Sequence, residues 1–171
     1  MSDLYSLWLT FPQPLEEQLG EHVATLARLT TGPVFQPHVT LVGDLPQDRA
    51  REIFTSERIG PIAPRLQGRF GQLSHGNTYF QSLFLEVALP VQVAHARHQL
   101  LEELDLDPAY PPHASLAYGS LAGEVPFPHL DRITATFCNQ PAPIAFLALV
   151  ASSETRPVES WKIIERLPLN V

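Results

Sequence analysis

Twice in this chain an apolar helical stripe ends nine residues before a histidine that follows proline: Leu29 leads to Pro37-His38-Val39-Thr40-Leu41, and Leu104 leads to Pro112-His113-Ala114-Ser115-Leu116. Glycine follows each motif soon after, at Gly43 and Gly119. A repeated order of parts at a repeated offset marks an internal duplication, even where residue-by-residue identity has decayed. It restricts the fold to two related halves, each supplying a helix and then a motif strand.

The elements around the motifs fit that reading. Leu4 to Phe11 is apolar and aromatic and stops at Pro12, as a buried strand does. From Leu15 the positions Leu19, Val23, Leu26 and Leu29 fall on one helical stripe, with Glu16, Glu17 and Glu21 toward its N-terminal end. The first motif strand, His38 to Val42, is followed by a turn at Gly43-Asp44 and a short helix over Arg49 to Phe54. A second unit begins near Pro61, with strands over Arg65 to Leu73 and Tyr79 to Leu89 separated by a turn at Ser74 to Asn77. Val93, Ala96, Leu100 and Leu104 then form a second helical stripe, and a loop over Asp105 to Pro112 leads into the strand His113 to Tyr118. Three more strands are expected over Ile133 to Cys138, Ile144 to Ala151 and Ser160 to Leu167. The fold class is α+β: two pseudo-symmetric lobes of mainly antiparallel sheet with outer helices around a central groove, residues 1–171 forming a single bilobal domain.

Composition excludes several functions. A formal net charge of −7 without a Lys/Arg-rich cluster lacks the electrostatic footprint of a protein that binds long nucleic acid. A small anionic ligand needs only a local site. The single cysteine, Cys138, forms no internal disulfide and no cysteine-based zinc site. No basic, cleavable leader opens the chain, and no apolar run approaches the roughly 20 residues that span a bilayer. The expectation is a cytoplasmic protein with no membrane association.

In an extended strand side chains alternate, so His38 shares a face with Thr40, and His113 with Ser115. Two imidazoles can divide general base and general acid duties near neutral pH, while two hydroxyls donate hydrogen bonds to the oxygens of a phosphate between them. The plainer alternative makes both histidines satisfied core residues, but that does not account for two matching copies in two halves. His22, His75, His95, His98 and His129 have weaker claims. His95 and His98 can share a helical face, yet no third ligand lies nearby and no His-Glu-x-x-His occurs, so no metal site and no cofactor are expected. A phosphate-binding glycine loop and a Gly-x-Ser-x-Gly elbow are also missing.

On these two motifs the chain resembles the two-histidine (2H) phosphoesterases, whose mark is a pair of His-x-Thr/Ser-apolar motifs in duplicated lobes. It looks most like their cyclic phosphodiesterase branch, with support from Tyr5-Ser6-Leu7-Trp8, Tyr79-Phe80-Gln81-Ser82 and Ser160-Trp161-Lys162. The resemblance implies metal-independent hydrolysis of ADP-ribose 1″,2″-cyclic phosphate or of nucleoside 2′,3′-cyclic phosphates. It makes His38 and His113 the catalytic pair, Thr40 and Ser115 the phosphate-binding hydroxyls, and Tyr118 a further phosphate contact. Trp8 would lie at the substrate cleft or in the core, and Trp161 reads as core. Phe80 or Gln81 would face the base or ribose, though strand alternation lets only one of the two point inward. Ala114 and Ala117 are smaller than the residues often found beside the second motif in this branch.

Two other functions stand beside this one. The same chemistry could open terminal 2′,3′-cyclic phosphates on RNA ends, against which the missing basic stripe argues. The groove could also bind a cyclic nucleotide without turnover. The expected partner is thus a small cyclic-phosphate nucleotide, and a groove shared between two lobes of one chain makes a monomer the simpler expectation.

Overall fold

The computed structural model describes residues 4–56, 67–119 and 125–169. Arg65 and Leu66, expected to open a strand, lie outside the described residues. In chain order the elements are β1 (Leu4–Thr10), α1 (Leu15–Thr30), β2 (Val39–Pro46), α2 (Gln47–Thr55), β3 (Gln67–His75), β4 (Leu83–Ala88), α3 (Val91–Glu103), β5 (His113–Ala117), α4 (Phe127–Phe137), β6 (Pro141–Pro143), β7 (Phe146–Ala151) and β8 (Lys162–Pro168). Short 3-10 turns cover Tyr79–Gln81 and Val158–Ser160. A proline immediately precedes each α-helix, at Pro14, Pro46, Pro90 and Pro126. There its fixed φ and missing N–H cost nothing, because a helix start has no carbonyl to offer that N–H.

The eight strands among the described residues lie in one sheet, in the order β6-β3-β4-β5-β2-β1-β7-β8, and every described pairing is antiparallel. The duplication is written in that order. The motif strands β2 and β5 meet at the centre through Val39 and Ala114, with β1 outside β2 and β4 outside β5. Strands from each half cross to the opposite lobe: β3, which follows α2, pairs with β4, and β7, which follows α4 and β6, pairs with β1. The lobes are therefore interlocked by exchanged strands.

Helix α4 corrects the strand expected over Ile133 to Cys138. Ile133, Thr134, Thr136 and Phe137 have strand-like composition, but Leu130, Ile133 and Phe137 recur at helical spacing, and Ile133 and Phe137 are buried. Its presence restores the duplication, since α4 follows β5 as α2 follows β2. The other differences lie at element ends. Leu29, expected on the buried stripe of α1, is 39% exposed, and Thr30 is buried instead. Tyr79–Gln81 is a 3-10 turn and not the start of β4. Ile144 and Ala145, expected to open a strand over Ile144 to Ala151, lie before β7 and after the short edge strand β6, whose Pro141 and Pro143 are tolerated because an edge strand has one unpaired side.

Strand alternation divides the sheet's two faces. Leu7 and Leu9 of β1, with Leu147 and Leu149 of β7, join the main core with Leu19, Val23 and Leu26 of α1. Trp8, Ala148 and Val150 form a small separate cluster on the opposite face. That second face carries the cleft.

Candidate active site

A cleft of about 340 Å³ runs over the centre of the sheet, lined by Trp8, His38, Thr40, Phe80, His113, Ser115 and Tyr118 among others. Of the eight residues given a catalytic or binding role by the resemblance, only Gln81 is not among the described residues that line it. Phe80 is the neighbour that faces the cleft, although a 3-10 turn and not strand alternation orients the pair.

The two imidazoles are held alike. His38 Nδ1 lies 2.7 Å from the Gln36 carbonyl oxygen, and His113 Nδ1 lies 3.0 Å from the Pro111 carbonyl oxygen, two residues back in each case. A carbonyl only accepts, so both Nδ1 atoms carry the proton, and each neutral ring keeps Nε2 as its acceptor. Gln36 is itself anchored: its side-chain amide donates to Glu16 at 2.7 Å, and Glu16 also pairs with Arg166 at 3.0 Å. Trp8 lies flat on His38, while Phe84 and Tyr110 enclose His113 edge-on at 5.1 and 5.5 Å between ring centroids.

Burial dominates the titration of both rings. His38 is pushed down to about 4, by desolvation first, opposed by its backbone hydrogen bond and reinforced by His113. His113 is also lowered by desolvation, against its bond to Pro111, with Arg97 contributing. Both are thus neutral at neutral pH, and an arriving phosphate anion would raise both.

The hydroxyls are not equivalent. Thr40 makes no hydrogen bond from its side chain among the described residues, whereas Ser115 donates to the Phe80 carbonyl at 3.1 Å. Tyr118 is buried, stacks on Phe35 at 3.9 Å, and its phenol is held well above its ordinary value by burial, with a hydrogen bond to Ser115 acting against that. Gly119, at φ +96°, bends the chain just after Tyr118 so that its N–H donates to the Tyr79 carbonyl at 2.9 Å and its carbonyl accepts from Ser82. This ties the end of β5 to the turn that carries Phe80.

Several lining residues were not anticipated. Trp161, read as core, borders the cleft, stacks on Phe80 and donates its indole N–H to the Ser153 carbonyl at 3.2 Å. Ser152 has a buried hydroxyl with no hydrogen-bond partner among the described residues. Arg97 of α3 is 5% exposed and donates through Nε to the Leu41 carbonyl at 3.2 Å. Arg97 was legible in principle, since Val93, Arg97, Leu100 and Leu104 keep helical spacing at least as well as a stripe through Ala96. Among the described residues no group of three or more His, Cys, Asp or Glu side chains is placed to hold a metal ion. No described helix is long and apolar enough to cross a membrane.

No family model matches the chain. A cyclic phosphodiesterase from Arabidopsis thaliana is 29% identical over 126 residues, which cover 71% of this chain and 68% of that protein. Two solved structures share the fold: TT0787 of Thermus thermophilus, with a TM-score of 0.57 at 19% identity over 98% of each chain, and apo LigT of E. coli, with 0.54 at 17% identity over 99% of this chain and 98% of that one. In its two motifs the chain resembles the 2H phosphoesterases, and it shares the LigT-like fold. Its sequence similarity is to an enzyme of the phosphodiesterase class, and its α+β architecture is that of LigT. LigT has also been solved with phosphate and with 3′-AMP.

Proposed function

We propose that this enzyme hydrolyses a small ribose cyclic phosphate to a phosphomonoester by paired-histidine acid–base catalysis. The candidate substrates are nucleoside 2′,3′-cyclic phosphates, opened to the 2′-phosphate, and ADP-ribose 1″,2″-cyclic phosphate, opened to the 1″-phosphate. The observation that carries this reading is the matched tether of His38 and His113, which leaves an Nε2 acceptor at the start of each of two adjacent strands, just before β2 and at the first residue of β5, beside one cleft. The activity named for the Arabidopsis relative, and the 3′-AMP bound by LigT, agree with a nucleotide of this size.

The roles follow from the environment of each ring. His38, the fully buried imidazole lowered to about 4, stays neutral and takes a proton from the attacking water. His113 gains its proton as the phosphate anion arrives and gives it to the departing ribose oxygen. Attack and departure lie in line on opposite sides of phosphorus, with one histidine on each side. Thr40 donates to a non-bridging oxygen, and Ser115 does so once it turns from the Phe80 carbonyl. Tyr118 stays a neutral phenol and supports Ser115.

Incubation with adenosine 2′,3′-cyclic phosphate in excess chelator, followed by chromatography of the products, tests the reading. The 2′-phosphate should accumulate with a bell-shaped pH dependence. A rate rising monotonically to high pH, or one abolished by the chelator, would count against it.

A further inference from the structure

Besides the two histidines the cleft contains a positive charge, that of Arg97. Arg97 is 5% exposed, yet among the described residues its guanidinium makes one hydrogen bond, from Nε to the Leu41 carbonyl, and no ion pair. Arg97 lines the cleft that holds both histidines, and its charge acts on His113. Withdrawing an unpaired guanidinium from water is costly, so a position that keeps one is organised for an anion that arrives later. Among the described lining residues the other formal charges are carboxylates. Asp44, Asp107 and Glu154 stand exposed at the rim, above a floor where Arg97 is the single Arg or Lys among the described lining residues.

We propose that Arg97 is a further substrate-binding residue: its guanidinium receives the phosphate from the side of His113, and the carboxylate rim limits the cleft to substrates with one anionic group. This rests on the cyclic-phosphate reading and narrows it. A nucleoside 2′,3′-cyclic phosphate carries one negative charge, neutralised by Arg97, and its hydroxyl and amino groups can donate to the rim carboxylates. The pyrophosphate of ADP-ribose 1″,2″-cyclic phosphate brings further negative charge to that rim, where no second Arg or Lys among the described lining residues answers it. Rim repulsion acts through solvent and is screened over about 8 Å at physiological ionic strength, so the discrimination is salt-dependent, whereas binding to buried Arg97 is much less so.

The test compares the wild type with Arg97→Met and Arg97→Lys. Binding of inorganic phosphate, measured by calorimetry at neutral pH, needs no turnover and reads Arg97 directly. Arg97→Met should weaken it about tenfold or more, as expected for loss of charge-assisted hydrogen bonds, with partial recovery in Arg97→Lys. With adenosine 2′,3′-cyclic phosphate the loss should fall mainly on KM. Removing a buried cation that has no ion pair should leave the melting temperature of Arg97→Met at or above that of the wild type. If Arg97→Met fails to fold, Arg97→Lys and the wild-type substrate ratio still decide. The wild type should favour adenosine 2′,3′-cyclic phosphate over ADP-ribose 1″,2″-cyclic phosphate by about tenfold in kcat/KM at low salt, with the gap narrowing as KCl is added.

Unchanged phosphate affinity in a folded Arg97→Met protein overturns the role of Arg97, and so does a melting temperature lowered with affinity intact. Equal or reversed substrate preference overturns the role of the rim. If the wild type binds phosphate through Arg97 but turns over neither ester, the cyclic-phosphate reading fails and the anion site stands.

Discussion

Trp8 lies face to face with His38, their ring centroids 3.6 Å apart and their planes 7° from parallel. Trp8 is paired with Thr40 across β1 and β2, is 3% exposed and rests on Ala148 and Val150. The stack fixes the plane of the imidazole, and the bond from Nδ1 to Gln36 fixes its rotation within that plane. Together they leave Nε2 one direction, so a core tryptophan also orients the proposed base.

Replacing Trp8 by leucine keeps an apolar residue but removes the flat surface. A fall in kcat of roughly ten- to a hundredfold is expected from a misaimed base, with little change in KM. Stability should drop by about 2–4 kcal/mol for the vacated core volume. Steady-state kinetics and urea unfolding separate the two effects, and an unchanged kcat in the destabilised variant would reduce Trp8 to a packing residue.

His38 also couples folding to pH. Its folded value is about 4 against an ordinary 6.5, so between these limits the unfolded chain binds more protons than the native one. The stability associated with neutral His38 is fully present above about pH 6.5 and is lost as pH falls through about 4, a total of about 3 kcal/mol. Urea midpoints measured from pH 7 to pH 4 should show this decline, and His38→Asn should flatten it. A parallel decline in both proteins would assign the acid sensitivity to other groups.

The two hydroxyls should differ in weight. Thr40 has no side-chain hydrogen bond to give up among the described residues, whereas Ser115 must release the Phe80 carbonyl before it can donate to phosphate. Thr40→Val should therefore lower kcat by roughly a hundredfold, as loss of one oxyanion donor does, and Ser115→Ala by less. The reverse order in single-turnover rates would mean that Ser115 is the principal donor.

Gly119 holds a conformation that a Cβ disfavours, at φ +96°. Gly119→Ala should destabilise the protein by about 1–2 kcal/mol and loosen the link between Tyr118 and the turn carrying Phe80. Thermal unfolding, with nucleotide KM as a second readout, checks both parts. An unaltered melting temperature would show that the turn relaxes without strain.

Much of this architecture is legible in the sequence because it depends on local spacing. The repeated interval from Leu29 to His38 and from Leu104 to His113 foretells two halves, and the period of two places each histidine beside its hydroxyl. What escapes is long-range. Nothing in the neighbourhood of β3 or β7 says that each pairs with the opposite lobe, since that depends on which edge is free when the halves meet. Over Ile133 to Cys138, β-branched and aromatic composition outweighs the helical spacing of Leu130, Ile133 and Phe137, and only packing on β3 decides it. Arg97 escapes for a related reason: a charged residue on a buried helical stripe reads as surface until the cleft beneath it is known.

Phosphorus NMR of adenosine 2′,3′-cyclic phosphate with the wild type, His38→Ala and His113→Ala, each in excess chelator, tests the central claim most directly. The wild type should convert the cyclic-phosphate signal to that of a monoester, and each variant, folded by circular dichroism, should be slower by at least about a hundredfold. Turnover that survives both substitutions would contradict the paired-histidine site.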